Sequence, residues 1–171
     1  MKKIAKFEKV SFEQFKKDIY KAFESRRYTV DDMQEIYNAI KLPTRATRGS
    51  AGYDFMCPIN LLLHKGQPVV IPTGIRAKIE DGWVLKLYPR SGLGFKYGLE
   101  LTNTVGIIDS DYYDSDNEGH IMLKISHHLG DYMLHIKQGD GFAQGVFVEF
   151  GITEDDDVDK IRNGGFGSTG R

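Results

Sequence analysis

The sequence predicts an all-β barrel or sandwich subunit that carries a short two-helix insertion near its N-terminus. Three observations carry that class. All 19 glycines of the 171-residue chain fall at or after Gly49. Beyond that point, short β-type segments recur at close spacing between turn signals. Before it, residues 11–41 repeat apolar side chains at helical spacing and contain no glycine.

Residues 3–10 read as a strand that presents Ile4, Phe7 and Val10. Ser11-Phe12-Glu13-Gln14 has the Ser-x-x-Gln form of a capping box. Phe12, Phe15, Ile19 and Phe23 then share one helical face. Thr29-Val30-Asp31-Asp32 opens a second helix with acids in its first turn. Val30, Met33, Ile36, Tyr37 and Ile40 continue it, and Pro43 stops it. The pair packs on the core or offers a surface to a protein partner. The later β-type segments are Val69–Ile71, Arg76–Ile79, Val84–Tyr88, Ile121–Ile125, Tyr132–Ile136 and Val146–Phe150. Lys65-Gly66, Pro72-Thr73-Gly74, Asp81-Gly82, Leu129-Gly130-Asp131 and Gln138-Gly139-Asp140 separate them as turns. Residues 154–159 are an acidic linker, and residues 160–171 are expected to form a mobile glycine-rich tail.

Composition removes several classes. At 19.4 kDa the chain supports one packed core, so we expect a single domain over residues 1–171. The lone Cys57 rules out an intrachain disulfide framework. No apolar run approaches a membrane span, and the basic start lacks the apolar stretch of a signal peptide. A reduced cytoplasm is the expected location. Residues 1–48 carry 12 Lys/Arg against 7 Asp/Glu, and residues 49–171 carry 11 against 17. No basic cluster interleaves with aromatics, so nucleic acid is not an expected partner.

Four glycine-bearing segments carry the chemistry. In the tail, Gly165-Phe166-Gly167-Ser168-Thr169-Gly170 fits Gly-x-Gly-x-x-Gly, but no helix can follow it as a dinucleotide fold needs. Its amides, Ser168, Thr169 and Arg162 suit an anion, and Phe166 suits a planar ligand; the alternative is a disordered end. Arg90-Ser91-Gly92-Leu93-Gly94 is a polar turn, or an oxyanion site. Around Asn103, Val105-Gly106 turns a hairpin, and Asn103 offers both donor and acceptor to a base edge. Asp109 and Asp111 point to opposite sides of an extended segment, so one of them can orient a water. Gln144 sits at the mouth of a strand, or simply in the turn that enters it. The acids from Asp111 to Glu118 lack the EF-hand order, and the five histidines form no metal motif.

Taken together, Ala51-Gly52-Tyr53-Asp54-Phe55, Arg90-Ser91-Gly92, Gly106-Ile107-Ile108-Asp109-Ser110-Asp111-Tyr112, Gly139-Asp140 with Ala143-Gln144, and the Gly-Gly-Phe-Gly-Ser-Thr-Gly tail resemble the five motifs of the homotrimeric dUTPases. The likeness covers residues 42–171. The insert Tyr113–Gly119 resembles a subgroup from Gram-positive bacteria and their phages. The resemblance implies a trimer with sites shared between subunits, each closed by a third chain's tail. Eleven residues from Ile161 reach at most about 36–40 Å, enough to cross onto a neighbour.

It further implies hydrolysis of dUTP to dUMP and pyrophosphate. Asp109 would activate the attacking water. Asn103, Gly106 and Ile108 would frame the uracil, and Tyr112 would lie under the deoxyribose. Arg90, Ser91, Gly92 and Gln144 would hold phosphates, joined from the tail by Arg162, Ser168 and Thr169. Phe166 and Gly167 would cover the base. Mg²⁺ would be held by the triphosphate and water, with Asp54 in its outer shell. Three departures stand out. Gly141 occupies a usual arginine position, Asn163 alone separates Arg162 from Gly164-Gly165, and Asp114 replaces a usual glycine. The rival implications are a dCTP deaminase of related fold and a regulatory protein on the same scaffold.

Overall fold

A computed structural model describes residues 2–24 and 26–159. β1 (Ala5–Lys9) leads into α1 (Phe12–Ala22) and α2 (Val30–Ala39), and only strands, one short helix and a 3-10 turn follow among the described residues. The strands are β2 (Thr44–Arg45), β3 (Tyr53–Met56), β4 (Leu61–His64), β5 (Val69–Pro72), β6 (Ile75–Ile79) and β7 (Trp83–Pro89). After α3 (Ser91–Tyr97) come β8 (Glu100–Leu101), β9 (Gly106–Ile108), the 3-10 turn Ser110–Asp114, β10 (Met122–Ser126), β11 (Met133–Ile136) and β12 (Gly141–Glu149). Every pairing is antiparallel. The largest sheet runs β2-β3-β12-β7-β9; the others are β5-β10-β8, β1-β6 and β11-β4.

One core joins all four sheets. Phe7, Phe55, Leu63, Ile71, Leu85, Leu87 and Ile125 are buried together, one or more from each sheet. Strand alternation produces it: β6 buries Ile75, Ala77 and Ile79 and turns Arg76 and Lys78 outward. A second cluster, Val10, Phe15, Ile19 and Met33, forms inside the helix pair. Phe23, Ile36 and Ile40 pack on both clusters, which welds the insertion to the barrel.

Several local expectations change. The Ser11 hydroxyl does cap α1 by accepting from the Gln14 N–H at 3.1 Å. Gln14 does not reach back; its side chain donates to Asp18 at 2.7 Å, and Glu118 takes the Ser11 N–H instead. The full capping box lies at α2, between Thr29 and Asp32. Val30, placed on the apolar face of α2, is 59% exposed because it occupies the first helical position, ahead of the turn that packs. The polar turn at Arg90 is the start of α3, which Gly98 ends with φ 59°. β12 begins at Gly141, five residues ahead of Val146, with a bulge after Gly141 that lets the glycines enter the sheet. Gln144 is therefore inside the strand.

Candidate active site

β3, β12 and β7 place one row of side chains across the largest sheet. Gln144 pairs with Asp54 on one side and Tyr88 on the other. Directly opposed residues share a face, so the row is fixed by register. Arg90 follows at the end of β7, and its Nε lies 3.3 Å from Asp54 Oδ1. Asp54 is largely covered, and Arg90 keeps 44% of its side chain exposed. The pair thus holds the guanidinium in place without withdrawing it from water. Gln144 Nε2 donates to the Pro89 carbonyl at 3.2 Å, which orients its amide.

Two glycines make room for these side chains. A Cβ at Gly52 would stand 2.8 Å from Gln144 Oε1, and one at Gly141 would stand 2.5 Å from Arg90 Nη1. The departure at Gly141 is therefore filled by Arg90 itself. Beside it opens a cleft of about 360 Å³ lined by Arg90, Ser91, Gly92, His135, Asp140 and Gly141, with Leu93 and Ile136. Ser91 and Gly92 are exposed at its edge. His135 belongs to no sequence motif; only the alternation of β11 turns it outward while Leu134 and Ile136 go inward.

Asp109, the residue expected to orient a water, lies elsewhere. β9 pairs with β7 through Leu85–Ile108 and Leu87–Gly106. Continued by one step, that register sets Asp109 beside Val84. Six residues of strand separate Val84 from Arg90, about 20 Å. Within one chain, Asp109 and the Arg90–Gln144 cluster are not brought together. Nor are Asp109 and Asp111 on an extended segment: Asp109 is the residue before the 3-10 turn Ser110–Asp114, so strand alternation does not govern Asp111.

Asn103 is exposed in the turn between β8 and β9, where the Val105 N–H bonds back to the Asn103 carbonyl at 2.7 Å. Thr104, with φ 64°, takes the left-handed conformation there. The turn comes before Val105-Gly106, since Gly106 is already in β9, and it links strands of different sheets rather than a hairpin. Gly106 and Ile108 are buried against β7. Tyr112 is only 4% exposed, and its hydroxyl donates to the His120 carbonyl at 2.8 Å. Burial pushes the Cys57 thiol up to about 12, which removes it as a nucleophile. Arg162, Phe166, Gly167, Ser168 and Thr169 lie outside the described residues.

An antiparallel β fold that sets an arginine and a glycine-bearing turn of helix at an open cleft, with a glutamine in the neighbouring strand row, is suited to a polyanion. Known proteins narrow that class. A family model described as dUTPase matches residues 38–170. The deoxyuridine 5'-triphosphate nucleotidohydrolase of Lactococcus lactis subsp. lactis (strain IL1403) is 40% identical over 134 residues, 77% of this chain and 89% of that protein. Its counterpart in Escherichia coli (strain K12 / DH10B) is 40% identical over 138 residues, 76% and 87% of the two chains. The crystal structure of dUTPase from Streptococcus mutans aligns with a TM-score of 0.64 at 32% identity, covering 86% of this chain and 98% of that one. The dUTPase from phage phi11 of S. aureus shares the fold, with a TM-score of 0.57 at 24% identity over 71% of this chain and 91% of that one. The chain belongs to the dUTPase family. No described helix is long and apolar enough to cross a membrane.

Proposed function

We propose that this chain, a nucleotide-hydrolysing enzyme, converts dUTP and water to dUMP and pyrophosphate in sites that subunits of a homotrimer build together. The carrying observation is the separation along β7: Asp109 at one end, Arg90 with Gln144 and Asp54 at the other. About 20 Å is too far for one triphosphate to contact both ends of the same chain. A neighbour's Arg90 end brought to this chain's Asp109 end resolves the geometry.

In that site Asp109 accepts a proton from water as the water oxygen bonds to the α-phosphorus. The bond to the bridging oxygen breaks, and pyrophosphate leaves. Arg90, Ser91, Gly92 and Gln144 hold the departing phosphates, joined by Arg162, Ser168 and Thr169 of a third chain's tail. Asn103 and the backbone at Gly106 and Ile108 read the uracil edge, Tyr112 supports the deoxyribose, and Phe166 with Gly167 covers the base. Catalysis is then positioning plus charge stabilisation. Mg²⁺ suits this donor set: Asp54 offers one carboxylate already shared with Arg90, so phosphates and water complete the shell. The bound ion would neutralise charge across the phosphates. Residues 1–171 act as one domain, and a cytoplasmic location goes with this reading.

A panel of deoxynucleoside triphosphates with Mg²⁺, scored for pyrophosphate and for ammonia, tests the reaction. Pyrophosphate from dUTP alone is expected; ammonia from dCTP would indicate the deaminase. Asp109→Asn should keep nucleotide affinity and lose turnover by about 10³-fold or more. Near-normal turnover in that variant would remove Asp109 from its role.

A further inference from the structure

The N-terminal helix pair is locked to the segment after Asp109 by one buried and one exposed set of polar contacts that the reaction does not by itself require. His120 is fully buried. Its Nδ1 lies 2.6 Å from Asp18 Oδ2 on α1, and Gln14 donates to the same oxygen at 2.7 Å. On the other side of the ring, the Gly74 N–H donates to Nε2 at 2.8 Å. A backbone N–H can only donate, so Nε2 is the unprotonated nitrogen. Nδ1 carries the proton and gives it to Asp18 as a hydrogen bond. Both nitrogens are thereby assigned, and the ring cannot flip.

The lock continues through the backbone. The His120 carbonyl receives the Tyr112 hydroxyl, and Asn117 Nδ2 donates to that hydroxyl at 2.8 Å. The Tyr112 N–H in turn bonds to the Asp109 carbonyl at 3.2 Å. Glu118 supplies a second tie by accepting from both the N–H and the hydroxyl of Ser11, at 2.7 and 2.6 Å. Next to these ties the segment is also held to the barrel, where the Tyr113 hydroxyl donates to Glu8 of β1 and Arg76 stacks 3.6 Å over the Tyr113 ring. Phe15, Ile19 and Met33 already hold the helices by apolar packing. A buried carboxylate and imidazole are costly to desolvate, and their hydrogen bonds add a direction that apolar packing lacks.

We propose that Asp18 and His120 are positioning residues: through them the helix pair fixes Tyr112 and thereby sets the preference for deoxyribose over ribose. The proposal rests on the reading of Tyr112 as the sugar-facing residue. It assigns residues 11–41 a task in the hydrolysis that their distance in sequence conceals.

The test compares dUTP, UTP and dCTP as substrates for full-length Asp18→Asn, His120→Gln and Tyr112→Phe, with each Tm measured. Tyr112→Phe keeps the ring and removes the hydroxyl that bonds to His120 and Asn117. Each variant should lose about tenfold in the kcat/KM ratio of dUTP to UTP while the dUTP to dCTP ratio holds. The Asp18→Asn, Tyr112→Phe double variant should lose no more than either single one, because both cut one path. An unchanged sugar ratio in the folded variants overturns the proposal, as does an equal fall in both ratios. Tyr112→Ala separates the two failures. If it shifts the sugar ratio while the other variants do not, only the lock is wrong. If it leaves the ratio unchanged, the sugar-facing role fails, and the lock with it.

Discussion

Gly141 and Gly145 sit four residues apart on one strand, yet they predict opposite outcomes. A Cβ at Gly141 would meet the guanidinium end of Arg90, a flexible group that can swing away. Gly141→Ala should therefore leave Tm within about 2 °C of the parent and raise the KM for dUTP about tenfold as Arg90 leaves Asp54. A Cβ at Gly145 would stand 2.8 Å from Leu85, 3.0 Å from Phe55 and 3.2 Å from Leu87, all in the core. Gly145→Ala should cost about 1–3 kcal/mol of stability, read as a lower denaturant midpoint, with KM unchanged in the folded fraction. Equal Tm losses in the two variants would refute the division. Sequence alone locates both glycines and cannot tell them apart. Their difference depends on what lies across the strand: Arg90 for one, and Phe55, Leu85 and Leu87 for the other.

At the scale of elements, legibility follows local pattern. β5, β6, β7, β10 and β11 were readable because their alternation and flanking turns are local signals. α3 is not, because Ser-Gly-Leu-Gly has poor helix propensity; the helix lasts about two turns between Arg90 and the left-handed Gly98. The buried Gln14–Asp18 face of α1 was hidden too, since it answers to His120, about a hundred residues on. That face predicts an acid response. Burial works to raise the Asp18 carboxyl, but hydrogen bonds from His120 and Gln14 hold it below its ordinary value. Burial also opposes Glu118, and the two Ser11 hydrogen bonds, aided by Arg76, bring it below its ordinary value as well. A depressed folded pKa contributes stability above the unfolded value, roughly pH 4, and that stability is lost as pH falls through the folded value. Tm should then drop from about pH 4 downward. The Asp18→Asn, Glu118→Gln variant should start lower at neutral pH and fall less steeply on acidification. Parallel curves for variant and parent would show that these carboxylates do not stabilise the fold.

The whole molecule is where a single chain's geometry runs out. Asp109 and Arg90 stand at opposite ends of β7, and Phe95, on α3 beside the cleft, is 91% exposed. If each site takes Asp109 from one subunit, phosphate-holding residues from a second and the tail from a third, two inactive chains can repair each other. One chain carries Asp109→Asn with its tail intact; the other keeps Asp109 and lacks residues 163–171. Alone, neither should turn over dUTP at more than a small fraction of the parent rate. Refolded together at equal amounts, about three trimers in four are mixed, and each mixed trimer holds one complete site of its three. Recovered activity should be about a quarter of the parent value per chain, at a solution mass three times the 19.4 kDa subunit. If instead each tail closed its own chain's site, Asp109 and the tail would always be separated in the mixture, and no activity would return. A mass of one subunit with partial recovery would exclude the trimer. The experiment reads oligomeric state and site sharing independently, because mass depends on the barrel surfaces and recovery depends on which chain supplies the tail.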